Sequence, residues 1–202
     1  MRKATRAARA LVTNILVHAF DDNPSVNYLI PQDKRRKQRV KRMMEYSFDQ
    51  CLRAGAVYLN ETETACALVL FPEQKKHDLQ GLWLDAKLIA QCIGIGNIRK
   101  AMKRETLIKQ QYPDVPAYYL WFIGVHPDCQ KQGLGSALLQ ELQQDAVQQN
   151  RRILLETSVA RNVSWYEQSG FEVYRQLNFG NPLYLLQFTG SQSARPDRQP
   201  HK

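Results

Sequence analysis

The segment from residue 117 to residue 157 constrains the fold more than any other part of the chain. Residues 117–125 form a continuous aromatic and β-branched run, which is typical of a central strand buried on both faces. A glycine-containing loop follows, then 136–149 carries apolar residues at helical spacing and 153–157 is a second short apolar run. A strand, a crossover helix and a strand predict a parallel strand pair in a mixed α/β sheet.

The remaining pattern predicts how this sheet is completed. Strands are predicted at 56–60, 64–71, 171–179 and 183–188, and helices at 5–20, 34–53 and 162–169, with two more between 82 and 111 that separate near Gly94 and Gly96. We expect one domain over residues 1–189. Residues 190–202 lack core residues and are expected to form a disordered basic tail.

Charge and composition limit which binding partners and which cellular compartment are expected. The net charge of +9 favours an anionic partner, which could be nucleic acid or a polyphosphorylated cofactor. No apolar run reaches the length of about 18 residues that a membrane span needs, so no membrane partner and a cytoplasmic location are expected. The four cysteines match no zinc spacing, so we predict reduced thiols and no metal site.

The loop between Val125 and Ser136 is the strongest candidate for a binding site. The predicted strand ends there, and a helix begins directly after Gly133-Leu134-Gly135. The first N–H groups of a helix have no partner within the helix, and glycines allow a diphosphate to approach the backbone. The spacing is neither that of a P-loop nor that of the dinucleotide fingerprint. The pattern therefore predicts an anion site, with a purely structural helix cap as the alternative.

Two motifs in this region resemble one enzyme family. From Val125 to Gly135 the chain has the pattern Val-x-Pro-x-x-Gln-x-x-Gly-x-Gly, and Asn162 to Phe171 contains Asn…Tyr-Glu-x-x-Gly-Phe. The first resembles the acetyl-CoA motif of the GNAT superfamily of N-acetyltransferases, and the second resembles a downstream segment of the same family. The segment 19–24 resembles the first helix and loop of its small-molecule members. The resemblance implies a mixed, largely antiparallel sheet with a splayed parallel strand pair and flanking helices.

The resemblance also implies where acetyl-CoA binds. Backbone groups at the end of the first strand would contact the pantetheine arm, and main-chain N–H groups from Lys131 to Ser136 would hold the pyrophosphate. The expected cofactor-binding residues are Ile123, Gly124, Val125, Gln130, Lys131, Gln132, Gly133, Leu134, Gly135, Ser136 and Asn162. Asn162 is also expected to cap the short helix, but its interval to Tyr166 is shorter than in many members, which puts its cofactor contact in doubt.

Two residues are candidates for proton transfer. Tyr166 would be the general acid, because a phenol with a pKa of about 10 keeps its proton at neutral pH and can give it to a thiolate. The alternative is that Tyr166 only packs in the core. Glu156 matches the position where some GNAT enzymes carry a catalytic glutamate, although strand parity could equally turn it to solvent. His126 is interpreted as a surface turn residue.

The predicted function is transfer of an acetyl group from acetyl-CoA to a primary amine on a small molecule. The acceptor pocket is expected from residues 21–31, 80–111 and 178–183, with Tyr28, Trp83 and Tyr119 as candidate linings. One alternative is a protein N-terminal or lysine acetyltransferase. Another is a non-catalytic nucleic-acid-binding domain that uses the basic run 34–42, although a solvated helix face is the favoured interpretation of that run. The oligomeric state is left open.

Overall fold

The structure, a computed structural model, describes residues 1–74 and 79–190. Its strands form one sheet in the order β1-β2-β3-β4-β5-β7-β6. The strands are β1 (Arg2–Lys3), β2 (Gly55–Leu59), β3 (Ala65–Leu70), β4 (Ala117–Val125), β5 (Arg152–Thr157), β6 (Glu172–Asn178) and β7 (Pro182–Phe188). Neighbouring strands are antiparallel except for the parallel pair of β4 and β5. The predicted mixed, largely antiparallel sheet is therefore confirmed.

Six of the seven described α-helices lie close to predicted positions, whereas the helix Pro24–Leu29 has no predicted counterpart. The seven helices are α1 (Arg9–Ala19), α2 (Pro24–Leu29), α3 (Arg36–Ala54), α4 (Leu79–Leu88), α5 (Ile98–Lys109), α6 (Leu134–Gln148) and α7 (Ala160–Gln168). A π-helical turn, Ile89–Ile93, and Gly94 with a φ of 73° separate α4 from α5, which confirms the break predicted there. Residues 191–202 of the predicted tail lie outside the described residues, as do residues 75–78.

Helices cover both faces of the sheet. Side chains of α1 and α3 pack on one face, which we call the α1 face, where Leu16 and Phe48 are buried with Leu68 of β3. Side chains of α6 and α7 pack on the other face, the α6 face, where Leu138 is buried with Tyr118 of β4. Burying each such side chain contributes about 1.5–3 kcal/mol, so the two clusters hold the sheet between its helices.

A bulge in β4 changes which face its side chains use. Leu68 of β3 pairs with Phe122 and the adjacent Val69 pairs with Leu120, so Trp121 is the extra residue. Leu120 belongs to the cluster on the α6 face, whereas Phe122 belongs to the cluster on the α1 face. The bulge therefore changes the direction of the side chains from Phe122 to Val125, the part of β4 that leads into the glycine loop.

The basic run 34–42 lies on α3 and the turn before it, and several of its arginines have acidic partners. Arg36 bonds to Asp21 at 2.6 Å, Arg39 to Asp33 at 3.1 Å, and Arg42 bonds to Glu45 on the same helix. These pairs favour the interpretation of a solvated helix face. Within residues 1–74 and 79–190, no helix is both long enough and apolar enough to cross a membrane.

Three of the four cysteines lie in the core. Cys51, Cys66 and Cys92 are buried, Cys129 is half-buried, and no disulfide joins any of these four described residues. Burial raises the pKa of Cys51 and of Cys66, which keeps both as neutral thiols. They act as small packing residues.

Candidate functional site

The parallel strands β4 and β5 separate soon after they meet. Their pairing covers only Ala117 to Tyr119 against Arg152 to Leu154. Beyond Tyr119, β4 stays paired with β3 up to Val125, and β5 stays paired with β7 up to Thr157. The edges of β4 and β5 that face each other therefore form an open wedge, in which backbone groups of β4 from residue 120 onward have no ladder partner in β5.

The glycine loop closes the wide end of this wedge. Gln130 follows a short 3₁₀ turn, Pro127–Cys129, and its Nε2 atom donates a hydrogen bond to the carbonyl oxygen of Val125 at 3.2 Å. Lys131 has a φ of 61° and Gly133 a φ of 78°, both in the left-handed region. Left-handed residues alternating with ordinary ones turn successive N–H groups toward one concave side, which is the geometry of an anion-binding nest.

The start of α6 adds to the same concavity. Ala137 makes the first hydrogen bond of the helix, to the carbonyl oxygen of Gly133, so the N–H groups of Leu134, Gly135 and Ser136 have no partner within the helix. A Cβ atom added at Gly133 would meet nothing within 4 Å, so this residue faces open space. The loop Lys131–Ser136 therefore fits a diphosphate, since it offers backbone donors and the positive end of a helix dipole.

The second motif packs against this loop through α7. Trp165 Nε1 donates a hydrogen bond to Ser136 Oγ at 2.9 Å, which joins the middle of α7 to the start of α6. Asn162 is half-buried in the first turn of α7. The prediction that Asn162 caps this helix is wrong, because the helix begins at Ala160 and its N-cap residue is Val159.

Tyr166 lies on the side of α7 that packs on the α6 face of the sheet. Its ring contacts Trp165 at 4.6 Å and Phe171 at 5.4 Å between centroids, and the residue is 6% exposed. No hydrogen bond joins its hydroxyl to another of the described residues. Burial raises the pKa of Tyr166, so the phenol stays protonated through the physiological range. These features of Tyr166 fit a proton donor, and they also fit a residue that only packs in the core.

Glu156 lies in β5 and faces the opposite side of the sheet from its buried neighbour Leu155. Its side chain is only 8% exposed, which excludes the alternative that it turns to solvent. The carboxylate accepts hydrogen bonds from the hydroxyls of Tyr112 at 3.1 Å and Tyr119 at 3.2 Å, and Arg104 lies 3.8 Å away. Burial raises the pKa of Glu156, against the opposing effects of the Arg104 charge and the two tyrosine hydrogen bonds.

Three segments that were predicted to form the acceptor pocket meet beside Glu156. Ser25 of α2 donates a hydrogen bond to Ser158 at 3.0 Å, and Arg104 of α5 donates to Ser25 at 3.2 Å. Tyr28 of α2 contacts Phe179 of the β6–β7 turn at 6.0 Å between ring centroids. Among the candidate linings, Tyr28 and Tyr119 belong to this group, whereas Trp83 on α4 is 60% exposed.

Sequence reasoning missed Tyr112 and Arg104. Each reaches Glu156 across more than forty residues of chain, and no local pattern marks either of them. His126, in contrast, behaves as predicted: it lies in the turn after β4, its ring is 5.5 Å from that of His18, and its Nδ1 atom is 3.5 Å from a carboxylate oxygen of Asp128.

Comparison with known proteins identifies the same region. A model of the acetyltransferase (GNAT) family matches residues 63–171, which is more than half of the chain and includes β3, β4, the glycine loop and α7. This match covers both motifs on which the sequence resemblance depends.

Solved structures share the fold over almost the whole chain. A histone acetyltransferase HPA2 and related acetyltransferase from Corynebacterium glutamicum is 20% identical, with a TM-score of 0.68 over 96% of this chain and 97% of its own. Arylalkylamine N-acetyltransferase 2 from Aedes aegypti is 15% identical, with a TM-score of 0.62 over 94% and 98%. The ribosomal-protein-S18-alanine N-acetyltransferase from Escherichia coli is 15% identical, with a TM-score of 0.52 over 100% and 97%.

Because these sequence identities are 15–20%, the likeness to the solved structures establishes only the fold. The match to the family model is what indicates the reaction. The strand wedge, the nest at the start of α6 and the two motifs lie within the residues that the family model matches or beside them. The chain therefore belongs to the acetyltransferase (GNAT) family and is an acyltransferase whose acetyl donor is acetyl-CoA.

Proposed function

We propose that this protein transfers the acetyl group of acetyl-CoA to a primary amine on a small molecule, by direct attack of the amine on the thioester. The observation that carries the proposal is the wedge between β4 and β5, with Tyr166 on one face of the sheet and Glu156 on the other. A donor and an acceptor that approach from opposite faces can meet in such a gap without displacing each other.

The donor side is supported by the glycine loop and the end of β4. Main-chain N–H groups from Lys131 to Ser136 would hold the pyrophosphate, with the side chain of Gln130 fixing the loop to Val125. Ile123, Gly124 and Val125 would offer backbone groups to the pantetheine arm. A backbone N–H in this part of β4 can also polarise the thioester carbonyl and stabilise the charge that develops on its oxygen.

Proton transfer completes the reaction. The amine nitrogen forms a bond to the thioester carbon as the carbon–sulfur bond breaks, and Tyr166 gives its proton to the departing thiolate. Glu156 accepts a proton from the amine, directly or through water. A buried carboxylate with a raised pKa suits this task, because a general base works best when its pKa lies near the operating pH.

The enclosure of the acceptor side favours a small molecule over a polypeptide. Contacts between Ser25 and Ser158, Arg104 and Ser25, and Tyr28 and Phe179 join three segments across the region next to Glu156. A protein N-terminus or lysine needs an open groove for the chain that carries it. A nucleic-acid-binding role for the run 34–42 has less support, since three of its arginines already have carboxylate partners.

The test is acetyl transfer to two sets of acceptors. The purified protein would be incubated with acetyl-CoA and either small primary amines or peptides with free N-termini and lysines. Release of the CoA thiol would be followed, and products identified by mass. The proposal expects acetylated small amines and unmodified peptides. Transfer to peptides alone would replace the small-molecule acceptor with a protein one, and no transfer to either set would refute the proposed activity.

A further inference from the structure

The acceptor side of the site carries more positive than negative charge. Two cations of α5, Lys100 and Arg104, are one helical turn apart and so lie on the same side of the helix. Lys100 Nζ is 3.7 Å from the centre of the Tyr28 ring, and Arg104 lies over the Phe179 ring at 5.6 Å. The two cations therefore flank the aromatic pair that closes the acceptor region.

The carboxylates nearby do not neutralise both cations. Arg104 has Glu156 at 3.8 Å, but that carboxylate already accepts hydrogen bonds from two tyrosine hydroxyls. Glu105, the next residue on α5, bonds to Lys109 at 2.6 Å. Within the described parts of the chain, no carboxylate lies within ion-pair distance of Lys100. The charge of Lys100, which lies against the Tyr28 ring, is therefore not neutralised by a carboxylate of the described residues.

A buried hydroxyl in the same region also lacks a partner. Tyr174 Oη is inaccessible to solvent and makes no hydrogen bond to any residue in 1–74 or 79–190. The Tyr174 side chain packs in the cluster that contains Tyr112 and Phe179. Burial and the nearby Glu156 charge raise the pKa of Tyr174 to about 12, so the group remains a hydrogen-bond donor. Buried donors without partners are uncommon and call for an explanation, which a ligand oxygen would supply.

We propose that the amine acceptor also carries a carboxylate, which binds at Lys100 and Arg104 while the amine lies at Glu156. This inference rests on the proposed acetyl transfer for the position of the amine. Arg104 lies beside Glu156, and Lys100 lies one turn, or about 6 Å, further along α5, so a carboxylate held between the two cations is separated from the amine at Glu156. That separation fits a short ω-amino acid better than an α-amino acid.

The test uses a matched pair of probes, δ-aminovalerate and its neutral amide, which differ only in the carboxylate. Binding of each to the full-length protein saturated with CoA is measured by calorimetry, so no turnover is needed. Hydrogen bonds to charged groups are stronger than those between neutral groups, so the acid is expected to bind at least about tenfold more tightly than the amide.

Two variants on α5 separate a specific site from general attraction. Lys100→Gln is expected to remove most of the preference for the acid, whereas Lys103→Gln, which removes an exposed cation of the same helix, is expected to keep it. Arg104 is left unchanged because it also contacts Glu156. Equal binding of the two probes, binding of neither, or equal losses in both variants would overturn the proposal.

Failure of the carboxylate site can be distinguished from failure of the proposed acetyl transfer. If the amide is acetylated as efficiently as the acid, the carboxylate site is refuted and the acetyl transfer stands. If the acid binds selectively through Lys100 but no amine is acetylated, the anion site stands and the proposed activity is refuted.

Discussion

Replacing Tyr166 with phenylalanine removes one oxygen atom from the proposed site and leaves the packing in place. The contacts of the ring with Trp165 and Phe171 do not involve the hydroxyl. No other described residue loses a hydrogen-bond partner, since none bonds to this hydroxyl. The free energy of unfolding is therefore expected to change by less than about 1 kcal/mol.

The expected effect on catalysis is larger. Positioned general acids contribute about 10²–10⁴-fold, and a thiolate, whose conjugate acid has a pKa of about 8.5, is already a fair leaving group. We therefore expect the lower end of that range, a fall in kcat of about 10²-fold or about 2.7 kcal/mol in the barrier. The affinity for acetyl-CoA should stay within about twofold, because the lost interaction acts on the departing thiolate only.

The assay is steady-state acetyl transfer together with calorimetry of acetyl-CoA binding. Tyr184→Phe is the matched control, because Tyr184 is a half-buried tyrosine of β7 that packs in the same cluster outside the wedge. Since burial raises the pKa of Tyr166, its ionisation should not lower the rate of the parent enzyme below about pH 10. An unchanged kcat in Tyr166→Phe, or a loss matched by an equal loss of acetyl-CoA affinity, would refute the role of the hydroxyl.

The remaining predictions concern Glu156 and the core. Glu156→Gln should lower kcat/KM by about 10²-fold and remove the acidic limb of the pH–rate profile; an unchanged profile would exclude it as the base. Because burial raises the pKa of Glu156, the unfolded chain binds fewer protons above about pH 4.3, so the free energy of unfolding should fall as pH rises through the folded pKa. Glu156→Gln should flatten that fall in urea titrations, and an unaltered slope would contradict the assignment. Gly55→Ala should lower the free energy of unfolding by about 3 kcal/mol or more, because the added Cβ would lie 2.0 Å from the carbonyl oxygen of Val69; a stability change near zero would contradict the packing. Phe48→Ala should cost about 3–5 kcal/mol in the same measurement, and a much smaller loss would mean that the core on the α1 face is looser than described.

Patterns within a short stretch of sequence predicted most of the fold. The strand predicted at 117–125 has the same bounds as β4, because a long, continuous run of aromatic and β-branched residues favours a strand over a helix. The sequence predicts that the helix after the glycine loop begins at residue 136, whereas α6 begins at Leu134, because the glycines on either side of Leu134 are poor helix formers and hide the start of the helix. The sequence predicts a cap at Asn162 because asparagine is a favoured N-cap residue, but helix ends are the least certain feature of a pattern, and α7 begins two residues earlier.

The side of the sheet on which Glu156 lies could not be predicted. Strand β5 is apolar on both faces, so the alternation that usually identifies the buried side is missing. The bulge at Trp121 has no sequence signal, because it depends on how β3 and β4 align. Tyr112 and Arg104 reach Glu156 only through tertiary packing, so the sequence could not predict the acceptor side of the site. The donor side could be predicted because its residues lie in one continuous motif.

The measurement that tests the central claim most directly is calorimetry of acetyl-CoA binding to the purified protein and to two glycine variants. Gly133 and Gly180 both have positive φ and both face open space, so glutamate at either position adds the same charge and a similar backbone strain. The account predicts micromolar binding that Gly133→Glu abolishes and Gly180→Glu preserves. Absence of binding to the folded parent protein, or binding that survives Gly133→Glu, would contradict a diphosphate site in the loop Lys131–Ser136.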